Sequence, residues 1–264
     1  MSEPHRKRRA DAFAGVLRCA ATAASTAIAA AGAAHAQDDE WTFRFTPYLW
    51  ATSVSGDVEA GDASASFETS FSDIVDALEF GALGTFEGNY GPYGFLTDTI
   101  YLSLSKDANT PRGILFERAE ADFSSFIFSG YGGYRFALAE GVDLQLLAGA
   151  RVFAMEVDTR LVSALPAIAD RSSHASETWV NPVVGARLSA FATDELFGGI
   201  SADVGGWEGG DMTWQATALV GYRFDDTWDV RAGYRYMAVE HEFDGGTALD
   251  AAFQGPIIGV GISF

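Results

Sequence analysis

Apolar and polar residues alternate with a period of two along most of the chain after residue 40. The clearest case is segment 253–264, FQGPIIGVGISF, where Ile258, Val260, Ile262 and Phe264 share one parity and small residues predominate on the other. Successive side chains of a β-strand point to opposite faces. The segment therefore predicts a strand with one apolar face and one face of small residues.

Gly-x-Arg tripeptides extend this pattern to other strands. They lie at residues 133–135, 149–151, 185–187, 221–223 and 233–235, each with Ala or Tyr in the middle. In a strand the glycine and the arginine share one face, and the middle residue takes the other. A soluble lipocalin-like barrel or sandwich has an apolar interior, whereas a membrane barrel turns apolar residues to lipid and polar residues to its lumen. Inward arginines therefore favour the membrane barrel.

About ten strands are predicted from the alternation and from the turn residues between them. Their ranges are 41–53, 80–90, 93–105, a part of 115–136, 142–157, 178–192, 196–206, 212–224, 228–239 and 253–264. Short turns alternate with longer connections, as in outer-membrane barrels whose termini lie on the periplasmic side. Twelve strands result if residues 58–71 form a further pair, and eight if neighbouring strands are merged. The facing of 93–105 stays open, because Asp98 shares a parity with Leu96 and Ile100.

The acid-rich connection 54–79 also contains a predicted helix. Residues 72–78 combine Ser72 as a cap with apolar residues at helical spacing. This helix either caps the mouth of the barrel or lies in the lumen as a further plug. Residues 158–177 and 240–252 are expected to be loops.

The alternating last strand that ends in Phe264 resembles the insertion signal of Gram-negative outer-membrane β-barrel proteins. The resemblance implies that Ile258, Val260, Ile262 and Phe264 are recognised by the barrel-assembly machinery, and that outer-membrane lipid and lipopolysaccharide are partners. It extends over residues 37–264 at the level of small OmpA/OmpW-like barrels. The fold class that follows is all-β, an antiparallel, transmembrane, up-and-down β-barrel in the bacterial outer membrane.

The first 36 residues have the pattern of a cleaved secretory signal peptide. Basic residues at 6–9 precede an Ala-rich run at 12–34, and Ala34-His35-Ala36 provides a small-x-small cleavage site. We therefore expect residues 1–36 to be removed and residues 37–264 to form one exported barrel domain.

Composition after cleavage excludes several classes of function. Residues 37–264 contain no cysteine and hold 12 basic against 34 acidic residues, a net charge of −22. Disulfide scaffolds, thiol catalysts and cysteine metal sites are excluded, and so is nucleic acid as a partner. The acidic connection lacks the regular ligand spacing of a calcium loop. We predict no metal site and no cofactor.

Charged residues of the inward parity form the candidate site. They are Arg44, Glu87, Arg135, Asp143, Arg151, Arg187, Asp203, Arg223, Asp229, Arg231 and Arg235. A barrel of about ten strands has an interior that side chains nearly fill, and charges with little water around them must be paired. We predict an ion-pair network that plugs the lumen. An arginine-lined pore that favours anions is the alternative.

Histidines offer weaker signals for catalysis. His241 with Glu240, Glu242, Asp244 and Asp211 resembles omptin-type outer-membrane proteases in residue types alone. His174 lies among serines in a predicted loop, where a solvated histidine is the simpler interpretation. We therefore predict no catalytic residues and a non-enzymatic structural or surface-interaction barrel with a plugged or very narrow lumen. A small-solute channel and a rim hydrolase are the alternatives.

Overall fold

The computed structural model describes residues 40–60, 63–109, 116–163, 170–206, 211–243 and 246–264, so the predicted signal peptide lies outside the described residues. Twelve strands and one helix follow one another along this part of the chain. They are β1 (Thr42–Trp50), β2 (Ser53–Ala60), β3 (Ala63–Thr69), α1 (Phe71–Ala77), β4 (Leu78–Tyr90), β5 (Tyr93–Asn109), β6 (Phe116–Ala139), β7 (Val142–Ser163), β8 (Arg171–Phe191), β9 (Leu196–Gly205), β10 (Met212–Arg223), β11 (Trp228–Phe243) and β12 (Thr247–Ser263).

Ten of these strands form a closed antiparallel ring. The order is β1, then β4 to β12 in sequence, and β12 pairs with β1 again. Because the ring has no free edge, every strand in it has a partner on both sides over the paired length. The predicted ten-stranded antiparallel barrel is confirmed.

The strands β2 and β3 form a hairpin outside the ring. Along one edge of β12, residues 257–263 pair with β1 and residues 247–254 pair with β2, which then pairs with β3. The first strand therefore ends at Trp50 rather than at residue 53, and the acidic connection is largely strand. A further pair at 58–71 was foreseen, but it does not enlarge the ring to twelve.

Helix α1 begins with a capping box. Ser70 is the N-cap, its side chain accepts a hydrogen bond from the Asp73 N–H, and its own N–H donates to the Asp73 carboxylate. The predicted cap, Ser72, instead lies inside the helix. The helix contacts β5 and β2, and none of its residues is among the described residues that line the lumen cavity. Over the described ranges, no helix combines the length and hydropathy needed to span a bilayer.

The strands face as the alternation predicts. On β1, Phe45 and Leu49 are exposed on the outside, while Tyr48 and Trp50 are buried inside. The open question on β5 is resolved, because Asp98 and Ile100 both lie on the lumen side and are buried. The outer face carries a belt of exposed apolar residues that includes Leu49, Val180, Ile200, Val220 and Ile258.

The two ends of the barrel differ. The short turns at 91–92, 140–141, 192–195 and 224–227 lie at one end, which we call the turn end. At the other, the loop end, several strands are longer than predicted: β7 reaches Ser163, β8 begins at Arg171, and β11 and β12 approach each other at Phe243 and Thr247. The predicted loops at 158–177 and 240–252 are therefore mostly strand. The alternation fades there because exposed strands are held by backbone pairing rather than by burial of one apolar face.

Candidate functional site

The lumen is filled by an apolar layer in its loop-end half. The layer consists of Tyr48, Trp50, Ile100, Ile127, Phe153, Trp179, Met237 and Val239. Ile100, Ile127, Phe153 and Trp179 are successive cross-strand neighbours on β5 to β8. Phe153 and Val239 have no exposed surface, and the rings of Phe153 and Trp179 stack at 4.8 Å. The alternation on β1 placed Tyr48 and Trp50 inside, but the other six members were missed because polar residues were expected in the lumen.

Two buried Arg–Tyr–Asp triads lie below the apolar layer. In the first, Arg151 pairs with Asp203 at 2.7 Å and donates to the Tyr131 hydroxyl at 2.8 Å, and that hydroxyl donates to Asp203 at 2.9 Å. Arg151 is wholly buried and also donates to hydroxyls of Ser129 and Thr213. These bonds satisfy a charge that would otherwise be costly to bury.

The second triad repeats the same geometry with other strands. Arg235 pairs with Asp98 at 2.9 Å and donates to the Tyr48 hydroxyl at 2.9 Å, and that hydroxyl donates to Asp98 at 2.7 Å. Arg151 and Arg235 were predicted to face inward, but Tyr131 and the role of Asp98 were missed. The sequence did offer a signal for Asp98, because this residue shares its parity with the apolar residues Leu96 and Ile100.

A chain of five alternating charges lies nearer the turn end. Its order is Arg187, Glu87, Arg231, Asp229 and Arg44, and the successive nitrogen–oxygen distances are 2.9, 3.6, 2.7 and 3.3 Å. It begins and ends with arginine. Its members come from β8, β4, β11 and β1, so it joins strands that are far apart in sequence.

Three predicted residues lie on the lumen side without an ion pair. Arg135 donates to the Gly91 carbonyl at 3.3 Å, and Arg223 lies over the Phe191 ring at 5.0 Å. Asp143 lines the cavity. Within the described ranges, the salt bridges at up to 4.0 Å include none of these three. Eight of the eleven predicted residues therefore take part in ion pairs, seven of them with one another and Arg235 with Asp98, and three do not.

A cavity of about 660 Å³ occupies the turn-end half of the lumen. It extends from the Tyr48, Asp98 and Arg235 triad to Asp226 and Phe264 at the turn end. Arg44, Glu87, Arg187 and Arg231 of the charge chain line its wall together with Arg223, and the fifth member of the chain, Asp229, is buried. The loop-end half of the lumen is filled, and the turn-end half is a cup lined by both charged and apolar side chains.

The predicted rim group is arranged differently from the expectation. His241 lies on β11 and is 5% exposed; its ring nitrogens are 2.8 Å from Asp211 and 3.0 Å from Glu177, and its ring stacks on Trp179 at 3.9 Å. Glu240 and Glu242 lie on the opposite parity and are exposed. Asp244 lies outside the described residues. Both ring nitrogens therefore lie within hydrogen-bond distance of carboxylates.

His174 is on a strand rather than in the predicted loop. It lies opposite Asp158 in the β7–β8 pairing, with Nδ1 2.9 Å from Asp158 and 3.8 Å from Glu156. The ligand atoms of the three residues lie within 4.8 Å of one another on the surface. This is a group of a kind that can hold a divalent cation.

The last strand places Ile258, Val260 and Phe264 on the outer face, where they are exposed, with Ile262 half-buried on the same face. Its recognition during insertion stays a prediction.

A closed antiparallel barrel with an apolar exterior and a charged lumen defines the class. This chain has the fold of Gram-negative outer-membrane β-barrel proteins. No family profile and no curated protein matches the sequence. The structure is similar to the outer membrane protease OmpT of Escherichia coli, with a TM-score of 0.59 and 10% identity over 88% of this chain and 99% of that chain.

Weaker similarities accompany it. The translocator domain of the autotransporter NalP from Neisseria meningitidis gives a TM-score of 0.40, at 14% identity over 97% of this chain and 98% of that chain. The attachment invasion locus protein Ail of Yersinia pestis gives 0.35, at 11% identity over 85% and 98%. The likeness to OmpT shows a shared barrel fold and carries no activity with it.

Proposed function

We propose that this protein is an integral, non-enzymatic barrel of the bacterial outer membrane, exported through the periplasm, whose lumen is closed by side chains. Its role is structural or one of surface interaction. The observation that carries the proposal is the complete burial of Arg151 and Phe153 in the middle of the lumen. Side chains that bury each other this fully exclude water from the passage.

Closure follows from the energetics of the two inner layers. An ion that crosses the lumen must leave water to pass Phe153, Trp179 and Val239, and moving an isolated charge into an apolar environment costs tens of kcal/mol. To open a wet path, these rings would have to leave a packed cluster, and each large residue contributes roughly 3 kcal/mol through burial. A resting lumen of this kind does not conduct.

The outer surface supports the membrane assignment. In a barrel of this kind, the exposed apolar belt that includes Val180, Ile200 and Val220 faces lipid rather than water. We infer that outer-membrane lipid and lipopolysaccharide surround it, and that the barrel-assembly machinery recognises the strand ending in Phe264. The long strands β6 to β8 extend beyond such a belt and offer a surface for interaction.

Single-channel recording in planar bilayers tests closure. We expect the wild type to be silent and the double variant Phe153→Ala/Trp179→Ala to conduct, because it removes the stacked rings from the apolar layer. Val180→Ala, one position from Trp179 but on the outer face, is the matched control and should stay silent. Steady wild-type conductance that Arg231→Ala alters would replace closure with an anion-favouring channel.

A hydrolase screen tests the absence of enzymatic activity. We expect purified protein to show no peptidase or lipase turnover, and the His241→Ala variant to equal it. Because OmpT is an outer membrane protease, peptides are the first substrates to try. Wild-type turnover that is lost in His241→Ala would establish a rim hydrolase and overturn this part of the proposal.

A further inference from the structure

The charges along the turn-end cavity do not balance. The alternating chain contributes three guanidinium groups and two carboxylates, and Arg223 adds a fourth guanidinium without a carboxylate partner among the described residues. The wall formed by Arg44, Arg187, Arg223 and Arg231 with Glu87 and Asp229 therefore carries a net charge of +2. Among the other charged residues that line the cavity, Arg135 and Asp143 cancel in charge, as do Arg235 and Asp98, and Asp226 at the mouth lowers the total from +2 to +1.

Arg223 is one of two cavity arginines, with Arg135, that have no ion pair within 4.0 Å among the described residues. Its guanidinium is covered on one side by the Phe191 ring at 5.0 Å. It also lies opposite Asp229 in the β10–β11 pairing, and Arg44 contacts the same Asp229 at 3.3 Å, so the two arginines flank one carboxylate. Two like charges beside the same cavity are unfavourable at low dielectric, and an anion between them would relieve the repulsion.

The cavity has the size and the access that a small ligand needs. Its volume of about 660 Å³ lies within the range of small-molecule sites. The buried triads and the apolar layer close it toward the loop end, so a ligand enters and leaves at the turn end, beside Asp226 and Phe264.

We propose that this cup binds a small dianion, of the sulfate, hydrogen phosphate or short dicarboxylate class, between Arg44, Arg223 and Arg231. The excess of guanidinium groups over carboxylates on this wall favours a negatively charged ligand, and guanidinium groups bind such oxyanions through paired N–H donors. The inference rests on the proposed closed lumen, because closure makes the cavity a cup rather than a passage. The chain as a whole is strongly acidic and repels an approaching anion. We therefore expect slow association of the anion, and binding at the cup only.

Calorimetric titration of the purified full barrel in a zwitterionic detergent tests the proposal. We expect sulfate, hydrogen phosphate and succinate to bind with one ligand per barrel, and chloride to give no saturable signal. Arg223→Gln should weaken sulfate binding at least tenfold. Arg135→Gln removes another guanidinium that lines the cavity but lies outside the charge chain, and it should weaken sulfate binding less than Arg223→Gln does.

Folding of each variant is checked by strand content in circular dichroism. If Arg223→Gln does not fold, Arg223→Lys, which keeps the charge but loses the paired donors, should fold and bind more weakly than the wild type. Absence of saturable dianion binding by the wild type overturns the proposal. An equal loss of sulfate affinity in Arg135→Gln and Arg223→Gln also overturns it, because the anion would then respond to the overall positive charge of the cavity rather than to a defined site. Channel closure is measured separately by conductance, so the two ideas fail independently.

Discussion

Replacing Arg151 by methionine tests most directly whether the middle of the lumen is dry. The side chain is 0% exposed and holds Asp203 at 2.7 Å, with further bonds to Ser129, Tyr131 and Thr213. Methionine has a similar volume, so the change removes the charge and its donors with little loss of packing. Asp203 then stays buried with only neutral donors, from Tyr131 and Gln215.

The expected loss of unfolding free energy is about 3–5 kcal/mol, the usual cost of breaking a buried ion pair by removing one partner. The lost hydrogen bonds to hydroxyls are each worth about 1 kcal/mol but overlap with that figure. Urea unfolding of the barrel in lipid vesicles, followed by tryptophan fluorescence, measures the difference.

A matched control separates burial from pairing. Arg160 and Asp170 also lie 2.7 Å apart, but their side chains are 56% and 37% exposed. Arg160→Met should therefore leave stability almost unchanged. The double variant Arg151→Met/Asp203→Leu should recover at least half of the loss, because no unpaired charge remains. A loss below about 1 kcal/mol for Arg151→Met would mean that water reaches Asp203, which refutes a dry, closed lumen.

Further substitutions test the faces, the packing and the helix cap. Val220→Arg places a charge in the apolar belt and should cost about 2–4 kcal/mol in vesicle unfolding; no cost would place this face away from lipid. Gly149→Val should reduce folded barrel on gels, because a Cβ there would collide with a backbone carbonyl of β6, whereas Gly132→Ala should fold normally, since no described atom lies within 4 Å of the added methyl. Hydrogen bonds donated by Ser70 lower the pKa of the Asp73 carboxyl. The cap therefore stabilises α1 fully when the pH is above the ordinary carboxyl pKa, and this stabilisation is lost as the pH falls through the lowered pKa. Ser70→Ala should raise the Asp73 pKa in an NMR titration, and an unchanged pKa would contradict this cause.

The sequence predicts the barrel wall well because the wall obeys a local rule. Side chains at alternate positions point to opposite faces, and lipid and lumen impose different chemistry on those faces. The facing of β1, β7 and β12, the ring of ten strands and the inward arginines all follow from that rule. The helix was placed within one residue, although its cap was assigned two residues late.

The contents of the lumen could not be predicted in the same way. Ile100, Phe153 and Trp179 are apolar yet face inward, so they break the rule on which the sequence interpretation relied. Partners such as Tyr131 with Asp203, or His241 with Glu177, lie 72 and 64 residues apart, and they meet because of the stagger between strands. That stagger comes from how the ring closes. The alternation within one strand carries no information about it.

The shared edge of β12 affects how this barrel must form. The last strand pairs with two separate early segments, β1 and β2, along a single edge, and these contacts join residues about 200 positions apart. One edge of β1 and one edge of β2 therefore stay unpaired until nearly the whole chain is available. Closing such a long loop comes late and slows folding. A chain shortened before β12 would leave one edge each of β1, β2 and β11 unpaired, and these edges would invite pairing with other chains.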